Sequence, residues 1–191
     1  MTASDILIAT GGRAFVPDIP GAELGITSDE ALNLSELPKK VIIIGSGYIA
    51  VEFAGIFSGL GVEVGLVYRQ QLPLRGFDDD IRTTVSSNLE ARGIQQVPNC
   101  QPVNLSKNSS GSLSLKTTLG TLEADAVVFA TGRVPNTTRP SLGLENVGVV
   151  ELSVLGAKNV RKFKGRISCK VHTRGARAAP RADRAAQGAR P

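Results

Sequence analysis

Apolar and polar positions alternate in recognisable periods up to about residue 150, and lose any period after it. Residues 6–10 are a short apolar run closed by Gly11-Gly12, which predicts a strand. Phe15-Val16-Pro17-Asp18-Ile19-Pro20-Gly21 is punctuated by proline and predicts an extended connector. Residues 28–34 predict a short helix, with Ser28 and Asp29 as cap candidates. Val41-Ile42-Ile43-Ile44 is an unbroken β-branched run, the pattern of a strand covered on both faces. A helix is predicted next, with Ile49, Phe53, Ile56, Phe57 and Leu60 on its apolar face and Gly61 at its end. Residues 63–69 predict a second strand. Asp78-Asp79-Asp80 opens a second helix, with Ile81, Val85 and Leu89 on one face and Gly93 as its stop.

The period then changes to two. Residues 103–107, 113–118 and 121–123 predict an antiparallel meander, with polar turns at 108–112 and 119–120. Residues 125–130 read as another buried strand, ending at Thr131-Gly132-Arg133. The order strand, helix, strand, helix, meander, strand predicts an α/β fold: a Rossmann-like doubly wound parallel sheet with an inserted antiparallel β-meander.

The chain has 191 residues, of which 41% are hydrophobic and 20% charged, enough for one globular domain and an appendage. The formal charge of +5 conceals a division. Residues 1–150 carry 11 Lys and Arg against 15 Asp and Glu, net −4; residues 151–191 carry 11 against 2, net +9. Beyond Arg174 the chain is almost wholly Ala, Arg, Gly and Pro, too poor in apolar surface to offset the entropy of ordering, so a disordered basic tail is expected. A nucleic-acid-binding arm is one reading of it. An unselected end, out of frame or intron-derived, is the other. The absence of aromatic residues among the arginines favours the second. No apolar run reaches the roughly 18 residues of a membrane span, and the N-terminus carries neither a secretory nor a transit pattern. Cys100 and Cys169 stand far apart and His172 is the sole histidine, which argues against a disulfide scaffold or a zinc site. Asp78–Asp80 are expected as caps and dipole partners rather than metal ligands.

Gly45-Ser46-Gly47-Tyr48-Ile49-Ala50 is a G-x-G-x-x-A form of the dinucleotide fingerprint, closing a strand and opening a helix. Gly45 permits the tight turn, Gly47 lets the backbone approach a pyrophosphate, and Ala50 keeps helix and strand close. The helix start offers free N–H groups and the positive end of its dipole to the diphosphate. Sites for NAD carry an acid at the end of the second strand, to bond the ribose 2′-hydroxyl. Here that strand ends Leu66-Val67-Tyr68-Arg69, and Arg75 follows six residues later. Two guanidinium bonds to a 2′-phosphate, at about 1.5–3 kcal/mol each, give roughly two to four decades of preference for NADP over NAD.

These segments carry a resemblance. Residues 6–21 (I-L-I-A-T-G-G-R-A-F-V-P-D-I-P-G), 43–57 (I-I-G-S-G-Y-I-A-V-E-F-A-G-I-F), 72–80 (L-P-L-R-G-F-D-D-D) and 128–136 (V-F-A-T-G-R-V-P-N) resemble the NADPH domain of the class I pyridine nucleotide-disulfide oxidoreductases. The plant and algal glutathione reductase branch is the most similar. The resemblance implies that residues 45–50 hold the NADPH diphosphate. It also implies that Tyr48 covers the nicotinamide site and swings aside, and that Glu52 stands beside the nicotinamide, paired with a lysine near FAD. Arg69 and Arg75 match the 2′-phosphate pair. Thr10-Gly11-Gly12 and Thr131-Gly132-Arg133 match two crossovers between the NADPH and FAD domains, with Gly132 against NADPH and Arg133 near the flavin.

The family's FAD fingerprint and redox C-x-x-x-x-C would precede residue 1. A second FAD motif and a catalytic His-Glu pair would follow Val150; none of these occurs in the sequence, and His172 has no neighbouring Glu. The expected organisation is a remnant of the FAD domain and connector at 1–21, an NADPH-binding domain at 22–130, a returning crossover at 131–150 and the basic tail at 151–191. The expected role is the NADPH-binding portion of a reductase that passes electrons through FAD to glutathione disulfide, inactive alone. Its expected partners are the nucleotide and the parent's remaining domains in a homodimer, in cytoplasm or plastid, with no membrane. An NAD-dependent dihydrolipoamide dehydrogenase-like member and a non-enzymatic fragment with a nucleic-acid-binding tail are the alternatives.

Overall fold

The computed structural model describes residues 11–136. The expected strand at 6–10, residues 137–150 of the returning crossover, and the basic tail lie outside the described residues. Strand β1 (Gly12–Ala14) is followed by a 3-10 turn (Ala22–Leu24) and helix α1 (Ser28–Ala31). Thr27, not Ser28 or Asp29, caps α1, because Glu30 at the third helical position closes a capping box with it: the Thr27 N–H donates to Glu30 Oε2 at 2.8 Å. The glutamate decides which of the neighbouring cap-competent residues is used.

Strand β2 (Lys40–Ile44) leads into α2 (Tyr48–Gly59), β3 (Glu63–Val67), α3 (Asp79–Ala91) and β4 (Gln95–Val97). The meander is β5 (Pro102–Lys107), β6 (Leu113–Thr117) and β7 (Gly120–Ala124); β8 (Ala126–Phe129) and β9 (Arg133–Pro135) close the described region. Strands β4, β3, β2 and β8 lie in that order in one parallel sheet. Ile26 adds a single parallel bridge to Val128 on the outer side of β8.

The central strand explains its own sequence. Val41 and Ile43 pack with Phe53, Ala54, Phe57 and Leu89 of α2 and α3 on one face. Ile42 and Ile44 pack with Leu105, Leu113 and Leu115 of the meander on the other. Both faces are dry, so alternation would bury polar groups, and each of these side chains contributes about 1.5–3 kcal/mol of transfer free energy. The Rossmann-like parallel sheet with its β-meander is therefore as the sequence predicts.

Helix α2 is rotated from its expected setting. Ala50, Phe53, Ala54 and Phe57 form the buried stripe, at i, i+3, i+4 and i+7, while Ile56 and Leu60 are about half exposed. Ala50 and Ala54, both fully buried, let the helix sit close to the sheet, and Phe53 and Phe57 pack in the same stripe. Ile81 in α3 also faces outward, whereas Leu89 is buried. The second strand pairs only as far as Val67. Among the described residues no helix is long and apolar enough to cross a membrane.

Candidate functional site

The glycine turn sits where β2 ends between β3 and β8. Gly45 has φ 130°, and a Cβ there would lie 2.2 Å from the Ala130 carbonyl oxygen. Its N–H donates to the Val67 carbonyl at 2.9 Å, and the Ala130 N–H donates to the Ile44 carbonyl at 2.8 Å. Any side chain at 45 is barred by both conformation and space. Gly47 is different. It has φ −74°, which any residue adopts, and a Cβ would meet nothing within 4 Å. The fold does not require glycine there; the missing side chain leaves open ground over the backbone. Gly47 is also the N-cap of α2, with no side-chain cap and no acid in the first turn. The first N–H groups of the helix and the positive dipole end thus have no acidic residue of the helix's own first turn beside them. Ala50 is fully buried, as close helix–strand packing requires.

The segment after β3 folds back onto this turn. The Leu74 N–H donates to the Ser46 carbonyl at 2.7 Å, which joins the loop carrying Arg75 to the glycine turn. Arg69 and Arg75 are both exposed, and among the described residues neither guanidinium makes a hydrogen bond or ion pair. Residues 64–77 contain no Asp or Glu. The first acid, Asp78, caps α3 by accepting from the Asp80 N–H at 3.0 Å, and Asp79 pairs with Arg82 at 2.6 Å. Two free cations therefore stand on a loop fastened beside an uncapped helix N-terminus. That is an arrangement for a ligand bearing several phosphate charges.

Tyr68 immediately precedes Arg69 and points the other way. Its hydroxyl donates to Gln96 Oε1 at 3.1 Å, which also accepts from Ser86 Oγ at 3.0 Å. Burial pushes the Tyr68 phenol above its ordinary pKa, and hydrogen bonding from Ser86 opposes that. Tyr48 stands at the first position of α2, about half exposed, and Ile49 beside it is partly buried against the helix-side core. Glu52 is exposed one turn on.

The two expected crossovers run side by side as an antiparallel ribbon, β1 with β9. Thr131 Oγ1 donates to the Phe15 carbonyl at 2.5 Å, and Arg133 Nη2 to the Gly12 carbonyl at 2.5 Å. Gly11 and Gly132 both have positive φ in open surroundings. Thr10 lies outside the described residues. Leu74 and Arg82 are the participants that sequence reasoning missed. Arg82 lies three residues after Asp79, a spacing that signals an ion pair and gives no hint of the loop carbonyls it also holds.

Residues 1–152 match the family model described as pyridine nucleotide-disulphide oxidoreductase. The chloroplastic/mitochondrial glutathione reductase of Pisum sativum is 53% identical over 149 residues, covering 78% of this chain and 27% of that protein. The HOCl-induced flavoprotein disulfide reductase RclA from Escherichia coli superimposes with a TM-score of 0.63 at 32% identity, over 68% of this chain and 30% of that one. An engineered water-forming NADPH oxidase, bound to NADPH, gives a TM-score of 0.62 at 26% identity, over 67% of this chain and 30% of that one. This chain thus spans about a third or less of each of these three proteins. A family model covering most of the chain, with relatives of this similarity, assigns it: the chain belongs to the pyridine nucleotide-disulphide oxidoreductase family.

Proposed function

We propose that this chain binds NADPH, in preference to NADH, as the nucleotide-binding part of a flavoprotein glutathione-disulfide reductase. The observation that carries the proposal is the pair of unengaged guanidinium groups, Arg69 and Arg75, on a loop tied to the glycine turn by the Leu74–Ser46 bond. Residues 45–50 hold the diphosphate on backbone N–H groups. Arg69 and Arg75 hold the 2′-phosphate. Tyr48 and Glu52 serve the nicotinamide end, and Gly11, Gly12, Gly132 and Arg133 carry the chain toward the flavin. The open ground above Gly47 fits a dinucleotide, since a Cβ would occupy the space a phosphate needs.

When bound, the coenzyme supplies a hydride that the family reaction passes through FAD to a disulfide. The role of this chain is to bind and orient. Supporting the coenzyme choice, the NADPH-bound engineered oxidase carries five substitutions. One of them removes an aspartate and two introduce arginines six positions apart, the spacing of Arg69 and Arg75. The glutathione-disulfide substrate is supported by the relatives named glutathione reductase, from pea, Nostoc and Burkholderia cepacia. Calorimetric titration of the chain with NADPH and with NADH tests the coenzyme part. Turnover of glutathione disulfide by the chain alone, in an NADPH-coupled assay, would contradict its assignment as a binding part only.

A further inference from the structure

We infer that Arg82 is a positioning residue for coenzyme choice, acting through the main chain of the loop that presents Arg75. This rests on the reading of Arg69 and Arg75 as the 2′-phosphate pair.

The loop between β3 and α3 has no regular structure to hold it. Its described anchors are few. At its start the Tyr68 N–H donates to Val97, and the Tyr68 and Gln70 carbonyls accept from the Cys100 and Asn99 N–H groups; further on the Leu74 N–H donates to Ser46 and the Phe77 N–H to Leu74. Between Gln70 and Leu74 the described hydrogen bonds to the loop come from a single side chain. Arg82 Nε donates to the Pro73 carbonyl at 2.8 Å and Nη2 to the Leu72 carbonyl at 3.2 Å. Its Nη1 is held by Asp79 at 2.6 Å. All three nitrogens of the guanidinium are engaged, and the side chain is only 18% exposed. Pro73 is fully buried.

The next residue, Leu74, sits at φ 54°, an unusual conformation for a branched side chain, and it is buried. Such a conformation persists only where its surroundings impose it. The fork of Arg82 on the two preceding carbonyls and the bond from Leu74's own amide to Ser46 supply that constraint. Arg75 is the residue immediately after. Its backbone origin is therefore fixed from α3, although among the described residues the Arg75 guanidinium makes no hydrogen bond or ion pair. A loop free to wander by an ångström would present Arg75 to a phosphate in many poses, with a loss of binding large enough to measure.

The test measures NADPH and NADH dissociation constants for the full chain. The variants are Arg82→Ala, Arg75→Ala and the double substitution, with a melting curve for each. The expected result is a loss of about tenfold or more in the NADPH-over-NADH ratio for Arg82→Ala, with NADH binding kept within about twofold. No further loss is expected when Arg82→Ala is added to Arg75→Ala. An unchanged ratio, or an equal additional loss in the Arg75→Ala background, overturns the inference. If Arg82→Ala shows no melting transition, Arg82→Lys replaces it. Lysine keeps the charge without the planar fork, so the ratio again falls, and an unchanged ratio overturns the inference. A ratio unmoved by Arg75→Ala itself sinks the 2′-phosphate reading, and this inference falls with it.

Discussion

The Leu74 amide and the Ser46 carbonyl, 28 residues apart in sequence and 2.7 Å apart in space, make the glycine turn and the arginine loop one structural unit. The backbone and the side chains proposed to hold the coenzyme's phosphates are thereby kept in a fixed relation before any ligand arrives. Such preorganisation lowers the entropy lost on binding.

Two glycines of the turn are expected to respond oppositely to the same change. Gly45→Ala forces a Cβ against the Ala130 carbonyl at a positive φ, and should cost at least about 3 kcal/mol in urea unfolding. Gly47→Ala meets no atom and no strain, so its stability should stay within about 0.5 kcal/mol of the native chain or rise slightly. NADPH binding by Gly47→Ala should nonetheless weaken by about tenfold or more, because the methyl occupies the ground a diphosphate needs. Melting curves and titrations on the two variants separate the roles.

Placing an acid at the end of the second strand should reverse coenzyme choice. Arg69→Asp removes one phosphate partner and adds a charge that repels the 2′-phosphate while accepting from a free ribose hydroxyl. NADPH affinity should fall by about two decades and NADH affinity should hold or rise. Titration with both coenzymes reads this directly.

The capping box of α1 predicts a pH-dependent stability term. Hydrogen bonds from the Thr27 hydroxyl and backbone hold the Glu30 carboxyl below its ordinary pKa. A depressed carboxylate contributes stability that is present above its unfolded pKa and is lost as pH falls through the folded one. Glu30→Ala should therefore destabilise by about 1 kcal/mol at pH 7, and the difference from the native chain should shrink below about pH 4. Urea melts at pH 7 and pH 3 measure both.

Tyr68 supplies the opposite sign. Burial raises its phenol above the ordinary value, so its contribution is full below the unfolded pKa and is lost as pH rises through the folded one. Tyr68→Phe should cost about 1 kcal/mol at pH 7, since Gln96 keeps its bonds to Ser86. The variant should lose less stability than the native chain above about pH 10.

Much of this architecture was legible from residue pattern. The run at 41–44 could only be a doubly covered strand, and Gly45 had to be a turn. The period-two segments after residue 100 gave the meander. What escaped was set by contacts distant in sequence. Strand β4 is Gln95-Gln96-Val97, three residues with no apolar run, and it exists because β3 offers an open parallel edge. The β1–β9 ribbon pairs Gly12 with Pro135, and nothing near either residue announces it. In α2 hydropathy alone places Ile56 and Leu60 on the buried face, whereas Ala50 and Ala54 occupy it beside Phe53 and Phe57. At the site, Gly45, Gly47, Ala50 and the two arginines stood out by spacing and by a missing acid. Leu74 and Arg82 act through backbone carbonyls and amides, which leave no mark on residue type.

The most direct measurement is paired calorimetry of the native chain and the Arg69→Ala/Arg75→Ala variant, each titrated with NADPH and NADH at one fixed salt concentration. The native chain should hold NADPH at least about a hundredfold more tightly than NADH, and the double variant should bind the two alike. Equal affinities in the native chain, or a preference that survives removal of both guanidinium groups, would contradict the account.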